Sequence, residues 1–276
     1  MALQESQFVT KDGLTLFTRA WMAERQAKAV VVIVHGIGEH CGRYEHVAQL
    51  FNGYGLHVFS YDQRGHGKSE GPRGHTPSNQ HLMDDISLAI QQARLLAGQE
   101  LPLFLYGHSM GGLEVLYYGL QNANGVKGYI ATGPSIKIAS TNPFKIFLAK
   151  TLNPILPKLS LPTGLDVHAL SRDPKVIKNY QDDPLVHDLA STRLGMFIIG
   201  GAEEVLKKAS SWNHPLLLMH GTEDRLGIIS GSREFFAKLT GDVTFKPWKG
   251  MYHELHNEPE QLQVIRTMAD WMLERV

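Results

Sequence analysis

Residues 107–111 read Gly107-His108-Ser109-Met110-Gly111. A serine hydroxyl is a poor nucleophile at neutral pH. It needs a base within hydrogen-bond reach and a third group that orients the base. G-x-S-x-G meets the steric part of that requirement when it joins a strand to a helix, because the tight turn lifts the hydroxyl clear of the sheet. Pro102 precedes an apolar run at 103–106 that suits a buried strand, and 112–121 reads as a helix with Asn124-Gly125 as its stop. A Gly-rich turn with an incidental serine is the reading this context opposes.

The acid and the base should follow in the order serine, acid, histidine, on loops after later strands. The apolar run 216–219 leads into His220-Gly221-Thr222-Glu223-Asp224-Arg225, and 243–248 leads into Lys249-Gly250-Met251-Tyr252-His253. The assignment is Ser109 as nucleophile, His253 as general base and then acid, and Asp224 as the carboxylate that holds the imidazole. Glu223 is the rival acid. Among 14 histidines, His256 is the rival base, and Gly250 favours His253 as the tip of a tight loop. A tetrahedral intermediate also needs donors for its oxyanion. These are expected from the N–H of Met110 and, in the loop His35-Gly36-Ile37-Gly38, the N–H of Ile37. An unperturbed imidazole titrates near about 6.5, so activity should fall around there on acidification.

The flanking elements must hold these groups in place. A hairpin is expected over 7–20 around Asp12-Gly13. Strand 29–34, helix 44–52, strand 56–61, polar loop 62–74 and amphipathic helix 82–96 follow, then the elbow and strand 126–132. This alternation predicts an α/β fold with a mostly parallel sheet flanked by helices. Between 134 and 213 the prolines at 143, 154, 157, 162, 174 and 184 interrupt the pattern and no strand is legible. That stretch reads as a helical cap inserted into a core of 1–133 and 214–276, with a short helix at 144–152. The core resumes with strand 216–219, helix 233–239, strand 243–248 and helix 259–274.

Composition narrows the function. Lysines and arginines number 27, as do aspartates and glutamates, so nothing electrostatic points to nucleic acid. One cysteine, Cys41, excludes an intrachain disulfide. It is placed near the site entrance, with a buried, inert thiol as the other reading. No basic-then-apolar leader and no run of about 18 apolar residues is present, so a cytoplasmic protein is expected. Phe144, Ile146, Phe147, Leu148, Leu152, Ile155 and Leu156 cluster in the cap, either as packing or as a surface for peripheral membrane contact.

The segments HGIGEHCGRY at 35–44, YDQRGHGKSEG at 61–71, GHSMGG at 107–112, SRDPKVIKNYQDDPLVH at 171–187, HGTEDRL at 220–226 and GMYHELHNEP at 250–259 occur together. With them the chain resembles the monoacylglycerol lipases and lysophospholipase-like group of the α/β-hydrolases, over nearly its whole length. The resemblance implies the α/β-hydrolase fold with a helical cap, no cofactor, and hydrolysis of an acylglycerol or similar lipid ester. A broad carboxylesterase, a lysophospholipase or a non-catalytic ligand-binding member of the fold are the alternatives. It further implies that Glu39, Arg43, His108, Tyr180 and His256 surround the alcohol group. Three positions depart from the pattern: Ile37 is bulky for its place, Glu114 replaces an apolar residue behind the elbow, and Leu226-Gly227-Ile228-Ile229 lacks a proline.

Overall fold

The computed structural model describes residues 2–24, 26–121, 125–139 and 150–276. In chain order its core begins with β1 (Ala2–Val9), β2 (Thr15–Met22), β3 (Ala29–Val34), α1 (Glu45–Gly53) and β4 (Leu56–Tyr61). α2 (Asn79–Ala97), β5 (Leu103–His108), α3 (Met110–Gly119) and β6 (Gly128–Thr132) follow. β7 (Ser160–Pro162), α4 (Pro174–Asp182), β8 (Leu189–Ser191) and α5 (Thr192–Lys208) come next. The chain closes with β9 (Leu216–Gly221), α6 (Ile229–Phe236), β10 (Val243–Trp248) and α7 (Gln261–Leu273).

Among the described residues eight strands form one sheet in the order β1-β2-β4-β3-β5-β6-β9-β10. The β1–β2 and β2–β4 pairs are antiparallel, and the remaining pairs are parallel. β3 explains why the run 29–34 is apolar throughout. Val30, Val32 and Val34 join the cluster on one face of the sheet, and Val31 and Ile33 join the cluster on the other. A parallel strand covered on both faces has no solvent side to keep polar. Ile86 of α2, Leu113 of α3 and Phe197 of α5 pack on the first face. Val47 of α1 and Ile265 of α7 pack on the second.

The stretch 134–213 differs from its sequence reading in two respects. It contains strands: β7 and β8 pair antiparallel, Leu161 opposite Ala190. These are three-residue strands, too short to show an alternating pattern. Its last helix, α5, also shares the apolar cluster of the core through Leu194, Phe197, Ala202 and Val205. Local chemistry starts the helices here. Asp173 accepts from the Lys175 N–H ahead of Pro174, and Ser191 accepts from the Leu194 N–H. The helix expected at 144–152 lies largely outside the described residues. Among the described residues no helix is long and apolar enough to cross a membrane.

Candidate active site

β5 runs through His108 into Ser109, which starts α3 at φ 55° and ψ −116°. Among the described residues it is the only non-glycine with positive φ. Such a backbone costs about 1–3 kcal/mol and persists only where its surroundings hold it. Here the Ser109 N–H donates to Thr132 O, and Ser109 O accepts from the N–H groups of Leu113 and Ser135, each at 3.0 Å. The flanking glycines permit the turn sterically. A Cβ on Gly107 would strike the Gly111 carbonyl, and one on Gly111 would strike the carbonyls of Val34 and His35.

His253 reaches this serine from the loop after β10. Its Nε2 is 2.9 Å from Ser109 Oγ, and its Nδ1 is 2.8 Å from Asp224 Oδ2. A carboxylate only accepts, so Nδ1 carries the proton and Nε2 is left to take the serine's. Asp224 Oδ1 accepts from the N–H groups of Leu226 and Gly227. Burial alone would raise the Asp224 carboxyl, but His253 and His220 hold it below the usual carboxylate range. Burial would likewise depress His253, yet the Asp224 charge keeps it above its ordinary value, helped by Glu254 and Glu39. These groups together can deprotonate a hydroxyl and stabilise the imidazolium that results. Glu223, the rival acid, is exposed.

A pocket adjoins Ser109. Gly36, Ile37, Leu165, Leu170 and Tyr180 line it, together with the polar groups of Glu39, Arg43, His108, His253 and Glu254. Met110 opens α3, so its N–H is one of the helix's orphan donors beside the serine. The Gly36 N–H is not available in this way, because it donates to Glu39 Oε1 at 2.6 Å. Glu39 Oε2 accepts from Arg43 Nη1 at 2.6 Å, and Tyr44 Oη donates to Glu39 Oε1. Tyr180 from α4 covers the Arg43 guanidinium at 4.8 Å. His108 is packed against His253 with ring centroids 4.8 Å apart, and burial, then the nearby His253, pushes it down to about 3. It is neutral at working pH.

His256 stands apart from the other expected binding residues. It is fully buried behind His108 and stacked on Tyr44, and it is not among the pocket-lining residues. Burial, then His108, holds it well below the ordinary histidine value. Cys41 is not at the site entrance. It is 0% exposed, and burial followed by the neighbouring Asp62 raises its thiol well above the ordinary value. Glu114 is fully buried with neither carboxylate oxygen hydrogen-bonded among the described residues.

Three residues at the site were not legible in the sequence. His220 Nε2 is 3.1 Å from Asp224 Oδ2. Ser135 Oγ is 3.4 Å from Ser109 Oγ. Glu254 forms a two-pronged pair with Arg43, each bond 2.8 Å. Glu254 directly follows the base, and that position was the one available signal.

The family model described as serine aminopeptidase, S33 (Hydrolase_4) matches residues 25–260. The chain is 34% identical to the monoacylglycerol lipase of Mycolicibacterium smegmatis, over 98% of this chain and 96% of that one. The chain belongs to the monoacylglycerol lipase and lysophospholipase-like group of the α/β-hydrolases. It is also similar in structure to a monoacylglycerol lipase of Paleococcus ferrophilus, with a TM-score of 0.84 and 38% identity over 100% of both chains. It is 35% identical to an uncharacterized abhydrolase domain-containing protein of Dictyostelium discoideum, of whose length it spans 30%.

Proposed function

We propose that this protein is a serine hydrolase that cleaves monoacylglycerol to glycerol and fatty acid. The observation that carries the reading is a Ser109–His253–Asp224 relay at a pocket that Glu39 and Arg43 also line. His253 takes the Ser109 proton as Oγ attacks the ester carbonyl. The N–H groups of Ile37 and Met110 receive the oxyanion. His253 then gives its proton to the departing glycerol oxygen, and Asp224 stabilises the imidazolium between the two transfers. Water activated by the same histidine releases the fatty acid. Glu39, Arg43 and Tyr180 suit the free hydroxyls of the glycerol, and His108 and His256 brace the polar end from below. A wider carboxylesterase or lysophospholipase would use the same relay.

The substrate lies in a membrane or micelle, and the chain offers an apolar surface near β7. Ile155 is 74% exposed and Leu156 49%, with Leu159 and Leu161 beside them in sequence. This surface is assigned to peripheral membrane contact. The test of the main reading is release of fatty acid from monoacylglycerol by wild type and Ser109→Ala. Wild type should turn the ester over and react with a fluorophosphonate probe. Ser109→Ala should lose at least about 10⁴-fold of the turnover and all labelling. Retention of turnover by a folded Ser109→Ala would defeat the proposal.

A further inference from the structure

Among the described residues Arg43 is the only lysine or arginine that lines the pocket, and two carboxylates hold it. Its Nη1 donates to Glu39 Oε2 at 2.6 Å and to Glu254 Oε1 at 2.8 Å, and its Nη2 donates to Glu254 Oε2 at 2.8 Å. Glu39 is 3% exposed and Glu254 2%. Building on the acyl-glycerol reading above, we propose that Glu254 makes the alcohol end of the pocket selective for uncharged leaving groups by neutralising Arg43. It is a positioning and specificity-determining residue that acts through the guanidinium.

A free arginine in a pocket is a ready site for a phosphate, because its fork of donors matches phosphate oxygens. Here Glu254 already occupies that fork in bidentate fashion. It cannot swing away easily. Asn257 Nδ2 donates to Glu254 Oε2 at 2.7 Å, and the Glu254 N–H donates to Leu170 O. A phosphate-bearing glycerol would have to share Arg43 with two carboxylates and lie close to both. Like charges brought together out of water cost several kcal/mol in comparable interfaces. The hydroxyls of an uncharged glycerol meet no such penalty. They can donate to the carboxylates and accept from the guanidinium N–H groups that remain.

Glu254 can be tested apart from Glu39. Glu39 also takes the Gly36 N–H and the Tyr44 hydroxyl, so changing it disturbs the loop that carries Ile37. Glu254 makes no bond to that loop except through Arg43. It does adjoin His253, and any effect on the base would change all esters together and cancel in a ratio.

The experiment compares kcat/KM for glycerol monobutyrate and for the butyryl ester of glycerol phosphate, with p-nitrophenyl butyrate as a control for the relay. Wild type should prefer the uncharged glycerol ester by at least about 100-fold. Glu254→Gln keeps the shape but removes the charge, and it should shrink that preference about tenfold or more. Glu254→Asp keeps the charge and should retain most of it. A wild-type preference within about threefold overturns the inference, and so does an unchanged ratio in Glu254→Gln. If Glu254→Gln does not fold, the wild-type and Glu254→Asp ratios still decide. Turnover of p-nitrophenyl butyrate with neither glycerol ester accepted is a different result. It defeats the acyl-glycerol reading itself, and this inference with it.

Discussion

Asp224 is bound to His220 as well as to the base: His220 Nε2 lies 3.1 Å from the same Oδ2 that His253 Nδ1 reaches at 2.8 Å. His220 is itself fixed, with Nδ1 accepting from Ser232 Oγ at 2.8 Å. The carboxylate therefore has little freedom to rotate away from His253. Asp224→Asn should leave the fold in place but present the wrong tautomer to Ser109, lowering kcat by about 10⁴. His220→Ala should lower kcat by only about tenfold with KM unchanged, because the Leu226 and Gly227 N–H groups still hold Oδ1. Steady-state kinetics on a soluble ester measures both. A loss of stability in His220→Ala without any loss of kcat would limit that residue to a packing role.

The pH profile is expected to depart from that of a free imidazole. His253 must be neutral to accept the serine proton, and the structure holds its protonated form above its ordinary value against the effect of burial. Activity should thus fall on acidification at a pH above about 6.5, not at it. Asp224, Glu254 and Glu39 supply the negative charge facing His253, and His108 beside it is neutral. Glu254→Gln removes one of these charges and should move the acid limb of kcat/KM to lower pH. An acid limb that stays in place would mean that the Glu254 charge is screened from the base.

Glu114 is a stability liability behind the elbow. Burial, followed by the nearby Asp85, raises its carboxyl well above the ordinary value, and neither oxygen is hydrogen-bonded among the described residues. A carboxyl with a raised folded-state pKa favours folding fully below its unfolded pKa near about 4.3. That contribution is lost as pH rises toward the folded value. Glu114→Met removes the unpaired group and should stabilise the protein by about 1–3 kcal/mol. The gain should be larger at pH 8 than at pH 5. Thermal melting at the two pH values checks it, and an equal or negative difference would point to a partner for Glu114.

At the cap, Phe147 and Leu148 lie outside the described residues, and Ile155 and Leu156 are exposed members of the same apolar cluster. Their exposures of 74% and 49% make it unnecessary to disturb the core. Ile155→Glu combined with Leu156→Glu should leave hydrolysis of a water-soluble ester within about twofold, since surface changes rarely alter stability by more than about 0.5 kcal/mol. Activity on vesicle-bound monoacylglycerol and co-sedimentation with vesicles should fall at least about tenfold. Parallel loss of both activities would place these residues in the structure of the site rather than at a lipid surface.

Local features were readable without the fold. Gly107-His108-Ser109-Met110-Gly111 was legible as an elbow because an apolar run precedes it and a helical pattern follows it, and its glycines allow the close approach of Gly111 to Val34 and His35. The two-sided burial of β3 was equally visible, because a strand with both faces covered must be apolar throughout. Chain order then pointed to Asp224 and His253. The sequence could not show which groups meet across the chain. Ser109 and His253 are separated by 144 positions, Arg43 and Glu254 by 211, and their contacts depend on how neighbouring strands end side by side. Burial likewise belongs to the folded chain. His256 and Cys41 have the side chains of functional residues, yet tertiary packing puts both out of reach of the pocket. Nothing in the sequence pairs Glu254 with Arg43. Only the fold makes it the partner of an arginine, because only the fold brings the loop after β3 against the loop after β10 and removes the water between them.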